Sequence, residues 1–142
     1  MRAAAAIVLL LLLAVPALAQ EVPLQQRIAE LSAGDAVTRA FAACYIAEAR
    51  EGRAAAVDAL SRLLADATSM NPVWCERDRA TAVLATWTTT PGIEAARALS
   101  RAGMPGIEAL LTASGSSDQA TRAHAIHGLS LVARFIGRVR SE

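Results

Sequence analysis

The chain has 142 residues, one domain's worth, with 14 basic and 13 acidic side chains. That near-neutral balance excludes the phosphate neutralisation on which nucleic-acid binding rests. Every basic residue is arginine, and with the heavy alanine content this reads as coding bias more than as a basic surface built for a polyanion.

Met1 and Arg2 open the chain with positive charge, and Ala3 to Val15 follow without a polar side chain until Pro16. Ala17, Leu18 and Ala19 have the small-x-small form of a signal-peptidase site, with cleavage expected between Ala19 and Gln20. The apolar run is short of the roughly 20 residues that cross a bilayer, so a cleaved signal is expected rather than an anchor. No cysteine follows it, which argues against a lipoprotein. The expected domains are therefore a signal peptide at 1–19 and a helical domain at 20–142, located in the periplasm or secreted. Taking 19 residues from 142 leaves 123, enough for one core.

In chain order, apolar residues recur at three and four, the helical period. Leu24, Ile28 and Leu31 give a first short helix. Asp35 stands as an N-cap before a stripe of Val37, Ala40, Phe41, Cys44 and Ala47, which Gly52 is expected to stop. Val57, Leu60, Leu64 and Ala67 make the next stripe. Asn71 and Pro72 form a start signal for a helix bearing Val83, Leu84 and Trp87, and Thr90 with Pro91 repeats that signal. Gly103 closes the segment, Pro105 opens a helix with Ile107, Leu110 and Leu111, and Asp118 caps the last, with Ala125, Ile126, Leu129, Val132 and Ile136. No stretch sustains period two. The fold class is all-α.

The chain also repeats itself. Asp35, Thr38, Arg39, Ala40 and Ala42 recur, in the same spacing, as Asp118, Thr121, Arg122, Ala123 and Ala125. Arg79, Ala80 and Ala82 fit near the midpoint between the two copies. A step of about 40 residues from copy to copy suits two-helix solenoid units.

These residues resemble the HEAT-repeat family, particularly bacterial HEAT-like repeats. The second-helix pattern of that family is matched by Asp118, Arg122, Ala125 and Leu129. Its first-helix pattern is matched by Ala56, Val57, Leu60, Leu63, Leu64 and Asp66, and Ala95 to Leu111 is similar to a junction between repeats. The middle unit departs: it lacks the capping aspartate, runs two turns longer over Asn71 to Asp78, and is followed by an extra helix over 91–102. The resemblance implies a short α-solenoid of about three helix-pair repeats. It also implies that Asp35 and Asp118 meet arginines of adjoining units, with Arg39, Arg79 and Arg122 as the candidates.

Candidate chemistry is thin. His124 and His127 lie three apart on one helix and could share a metal, but a firm site needs a third ligand, for which only Asp118 and Glu108 offer themselves. By the repeat alignment they take the places of Phe41 and Cys44, so a packing role is expected and no metal. Cys44 and Cys75 are expected to pair in an oxidising compartment, closing about 30 residues for roughly 3–4 kcal/mol. The alternative is a regular solenoid register, which would hold them roughly 13 Å apart as unpaired thiols. Gly128 to Val132 begins like a nucleophile elbow around Ser130, but it lacks the last glycine and sits inside a helix. Trp74 and Trp87 could anchor a partner, though core packing is the ordinary role. Neither a catalytic signature nor a cofactor motif is present.

The expected function is therefore non-enzymatic: a protein-binding or scaffold module in the cell envelope, with no cofactor, no nucleic acid and no membrane span in the mature chain. The alternatives are a ligand- or chromophore-handling protein, as the resemblance to phycobilisome lyase-type repeats implies, and a plain helical bundle.

Overall fold

The computed structural model describes residues 22–71 and 88–139. Among them every regular element is helical: α1 (Leu24–Glu30), α2 (Ala36–Glu48), α3 (Val57–Leu63), α4 (Pro91–Ser100), α5 (Met104–Ser114) and α6 (Gln119–Val139). One 3-10 turn, Arg53–Ala56, leads into α3. An isolated bridge joins Met70 and Thr89 through N–H···O bonds of 3.0 and 2.9 Å. Residues 1–19, the cleavage site at Ala19 and Gln20, the helix expected after Pro72, and Trp74, Cys75, Arg79 and Trp87 lie outside the described residues.

Three helix starts follow from local chemistry. Asp35 accepts the Thr38 N–H at 2.7 Å, Thr90 accepts that of Ile93 at 3.1 Å, and Asp118 accepts that of Thr121 at 2.7 Å. Each bond satisfies one of the orphan donors of a first turn. Pro91 fits the first turn of α4 because the N–H it lacks has no intrahelical partner there. Gly103, at φ 73° and ψ −156°, makes the corner between α4 and α5 in a region that only glycine occupies freely.

The internal repeat is repeated in atomic detail. Arg39 donates to the Ala33 carbonyl at 2.7 Å, and Arg122 donates to the Ser116 carbonyl at 2.6 Å, in both cases six residues back. Asp35 and Asp118 each have a carboxyl held below the ordinary range, chiefly by hydrogen bonds from the threonine three residues on. One short sequence thus builds one cap-and-tie unit twice.

The core lies where α2 runs along α4, α4 packs on α3, α5 and α6, and α5 packs on α6. Ile46, Leu60, Leu64, Leu99 and Leu110 are fully buried, each worth about 1.5–3 kcal/mol of removed apolar surface. Alanines 42, 43, 95, 96 and 125 fill the gaps between helices at zero exposure, which lets the backbones approach closely. On the near side α1 covers α2, with the Arg27 guanidinium 4.2 Å above the Tyr45 ring.

Several details differ from the sequence expectation. Helix α2 stops at Glu48, not at Gly52, because Ala49 turns extended at ψ 139°. Gly52 instead takes φ 76° at the start of the 3-10 turn. Ala67 lies beyond α3 and is exposed. Val37, Leu111, Ile126 and Ile136, expected on packing stripes, are all exposed. Asp35 and Asp118 cap their own helices. An ion pair that does span the fold is Arg39 with Asp66, at 2.6 and 2.8 Å.

Candidate functional site

His124 is a buried polar centre of the described structure. It sits on the second turn of α6, on the side that also carries Ala125 and Gly128 into the core. Its Nδ1 lies 2.7 Å from the Leu64 carbonyl oxygen and its Nε2 lies 3.2 Å from Thr90 Oγ1. A carbonyl can only accept, so Nδ1 carries the proton and donates. In the neutral ring Nε2 then accepts the Thr90 hydroxyl, whose oxygen in turn takes the Ile93 N–H. The ring is fixed in one tautomer with both nitrogens committed.

The floor under that ring is Gly92. A Cβ there would come within 2.2 Å of His124 Nδ1 and 2.9 Å of the Asp66 carbonyl. The Gly92 N–H donates to that same Asp66 carbonyl at 3.0 Å. Asp66 completes the knot, since its carboxylate holds Arg39 and accepts the Thr68 N–H. Burial works to raise the Asp66 carboxyl, but Thr68 and Arg39 outweigh it and hold it below the usual range. Four elements, α2, the end of α3, the start of α4, and α6, meet in one polar network. Such a network fixes geometry, and both ring nitrogens are spent on it.

His127, one turn on, is half-buried. Burial, Arg134 and His124 push its pKa down. Both nitrogens of His124 are already hydrogen-bonded, and among the described residues no three His, Cys, Asp or Glu side chains gather as a metal site would need. Asp118 is committed to its cap, and Glu108 is exposed on α5. Ser130 lies inside α6 and donates to the His127 carbonyl at 2.7 Å, far from a nucleophile's geometry. Cys44 is buried beside Ala40, Phe41 and Met70 and is disulfide-bonded.

Two features could not be read from the sequence. Glu94 is almost fully buried, with Oε1 accepting the Thr89 hydroxyl at 2.8 Å and Oε2 without a hydrogen bond among the described residues. Burial pushes its carboxyl up, against the pull of Thr89 and of Arg97 at 3.7 Å. A shallow cleft of about 300 Å³ lies between the α2 and α4 C-termini, lined by Arg50, Arg53 and Arg101. Two of those arginines serve the backbone. Arg53 donates to the Ala49 and Arg101 carbonyls, and Arg101 donates to Glu48 and to the Ala47 carbonyl. They cap helix ends whose carbonyls would otherwise be orphaned. Glu48 is held between Arg101 and Arg97, which outweigh its burial and keep the carboxyl below the ordinary range.

The remaining surface of note is the outer side of α6. Ala123, Ile126, Ala133, Arg134 and Gly137 are exposed, and His127 and Ser130 are half-buried. Beyond Val132 the helix is exposed on every side through Arg138, with Phe135 67% exposed. No helix among the described residues is long and apolar enough to cross a membrane. No protein-family model matches the chain, and neither does any curated protein or solved structure.

Proposed function

We propose that the chain is an exported, non-enzymatic HEAT-like module, a short α-solenoid of about three helix-pair units that binds protein in the cell envelope. The observation that carries this reading is the open outer side of α6. A repeat unit has an apolar stripe that it buries against a neighbour, and here the last unit presents Ile126, at 54% exposure, where a neighbour would lie. The twice-built cap-and-tie at Asp35 and Asp118 supports the repeat, and the tripartite start of the sequence supports export. The buried polar network supports a non-enzymatic role, since both His124 nitrogens serve the backbone and Thr90.

Two measurements test the reading. Small-angle scattering of the purified chain should give an elongated curved particle; a near-spherical one would favour a plain bundle. Intact mass of the exported protein should begin at Gln20, and retention of Met1–Ala19 would remove the export claim.

A further inference from the structure

The internal repeat supplies its own template for what covers α6. With Asp35 laid over Asp118, Ala40, Ala43 and Ala47 of α2 correspond to Ala123, Ile126 and Ser130 of α6. The three alanines are 0–1% exposed. Their counterparts are exposed, exposed and half-buried. In α2 that side is closed largely by a helix, α4, whose Ala95, Ala96 and Leu99 share a core with Ala43 and Ala47. The spacing of three, four and seven along α6 continues through Ala133 and Gly137, so small side chains leave room for another helix to lie close.

Charge then decides what kind of helix. The C-terminal end of α2 presents Glu48, and α4 answers with Arg97 and Arg101. In the same register Glu48 is replaced by Leu131, the next turn of α6 carries Arg134, and the sequence from Gln119 to Val139 contains no acidic residue. Among the described residues Arg134 reaches the Ser130 hydroxyl, at 3.5 Å, and no carboxylate. We infer that the outer side of α6 docks an acidic amphipathic helix of a partner protein, its small apolar stripe over Ala123, Ile126 and Ser130 and its carboxylates against Arg134. A second copy of this chain is disfavoured, because two such faces would oppose arginine with arginine. The inference rests on the protein-binding reading above and names the partner's chemistry.

The test uses the purified chain and two synthetic helical peptides of roughly 20 residues, long enough to hold helix. Both carry an Ala/Leu stripe; one is flanked by Glu and the other by Lys. By fluorescence anisotropy at low salt, the Glu peptide should bind about ten-fold or more tighter than its Lys twin, as close charge pairs discriminate. Ile126→Asp should lose that binding about ten-fold, and Arg134→Glu should lose it while gaining the Lys peptide. Both residues are exposed, and circular dichroism should show unchanged helix content. Equal binding of the two peptides overturns the proposal, as does Arg134→Glu without a switch of preference. Ile126-dependent dimerisation in sedimentation, or Ile126-dependent binding to phosphatidylglycerol vesicles without peptide discrimination, assigns the face to another occupant and also overturns it. A spherical particle in scattering would fail the solenoid reading while leaving the peptide result to stand or fall separately.

Discussion

Replacing His124 by alanine removes a side chain that joins α6 to both the end of α3 and the start of α4. The Leu64 carbonyl would lose its donor in a buried setting, which costs about 1–3 kcal/mol. Loss of the Thr90 bond adds about 1 kcal/mol, and the hole left above Gly92 adds on the order of another 1 kcal/mol. The expected total is about 3–5 kcal/mol, a large share of a stability that is typically about 5–15 kcal/mol. With a urea slope of about 2 kcal/mol per molar, the midpoint should fall by roughly 1.5–2.5 M. His124→Phe keeps the ring volume and loses both bonds, so about 2 kcal/mol is expected of it. His127→Ala is the internal control: that ring is half-buried and makes no side-chain hydrogen bond among the described residues, so its cost should stay under about 1 kcal/mol. Urea unfolding followed by far-UV circular dichroism measures all three. Equal costs for His124→Ala and His127→Ala would refute the network as a source of stability. So would a His124→Phe variant as stable as the parent.

Arg39→Ala should cost about 2 kcal/mol, because it leaves the mostly buried Asp66 carboxylate without its guanidinium and the Ala33 carbonyl without its donor; a change within experimental error would show the pair to be incidental. Cys44 should prove to be paired with Cys75, the other cysteine in the sequence, so denaturing, non-reducing alkylation should modify neither, and two modified cysteines would exclude the bridge. His127, with its pKa lowered from 6.5, binds its proton more readily in the unfolded chain. Its contribution is therefore full above pH 6.5 and is lost as pH falls through the lower, folded value, and His127→Gln should flatten that part of the stability–pH curve. Glu94 has the opposite sign. Its carboxyl is raised from 4.5, so the folded chain holds the proton longer and stability declines as pH climbs above 4.5 through the folded value. Glu94→Gln should remove that decline, and an unchanged curve would show that the buried carboxyl is not the source.

What could be read from the sequence was local. Asp35, Thr90 and Asp118 were legible as caps because an acceptor, its N–H three residues on, and a following apolar stripe are all neighbours in the chain. The repeat was legible for the same reason. What was not legible depends on elements far apart. Nothing near Glu94 distinguishes it from the ordinary first-turn glutamate of a solvated helix; its burial comes from packing across the fold. Gly92 reads as a weak spot inside a helix until the His124 ring, two helices later in the chain, is placed on it. Arg53 and Arg101 look like surface charge until the α2 and α4 ends meet between them. Periodicity also identifies a face without saying whether anything covers it, which is why Val37 and Ile126 were expected inside. The sequence points to a packing role for His124, and the ring does pack; its two hydrogen bonds, to Leu64 and Thr90, depend on elements far away in the chain.

The knot around Asp66 has a consequence for how such a chain can change length. Arrays of repeats ordinarily gain or lose whole units, since each unit touches only its neighbours. Here Arg39 grips Asp66, the Asp66 carbonyl holds Gly92, and the His124 ring closes over Gly92 to reach Leu64. Deleting α6 would strip the lid from contacts made between the end of α3 and the start of α4, and inserting a helix pair among these elements would pull them apart. The stitch makes α2, α3, α4 and α6 one indivisible set, free to diverge in exposed side chains but not to lose a member.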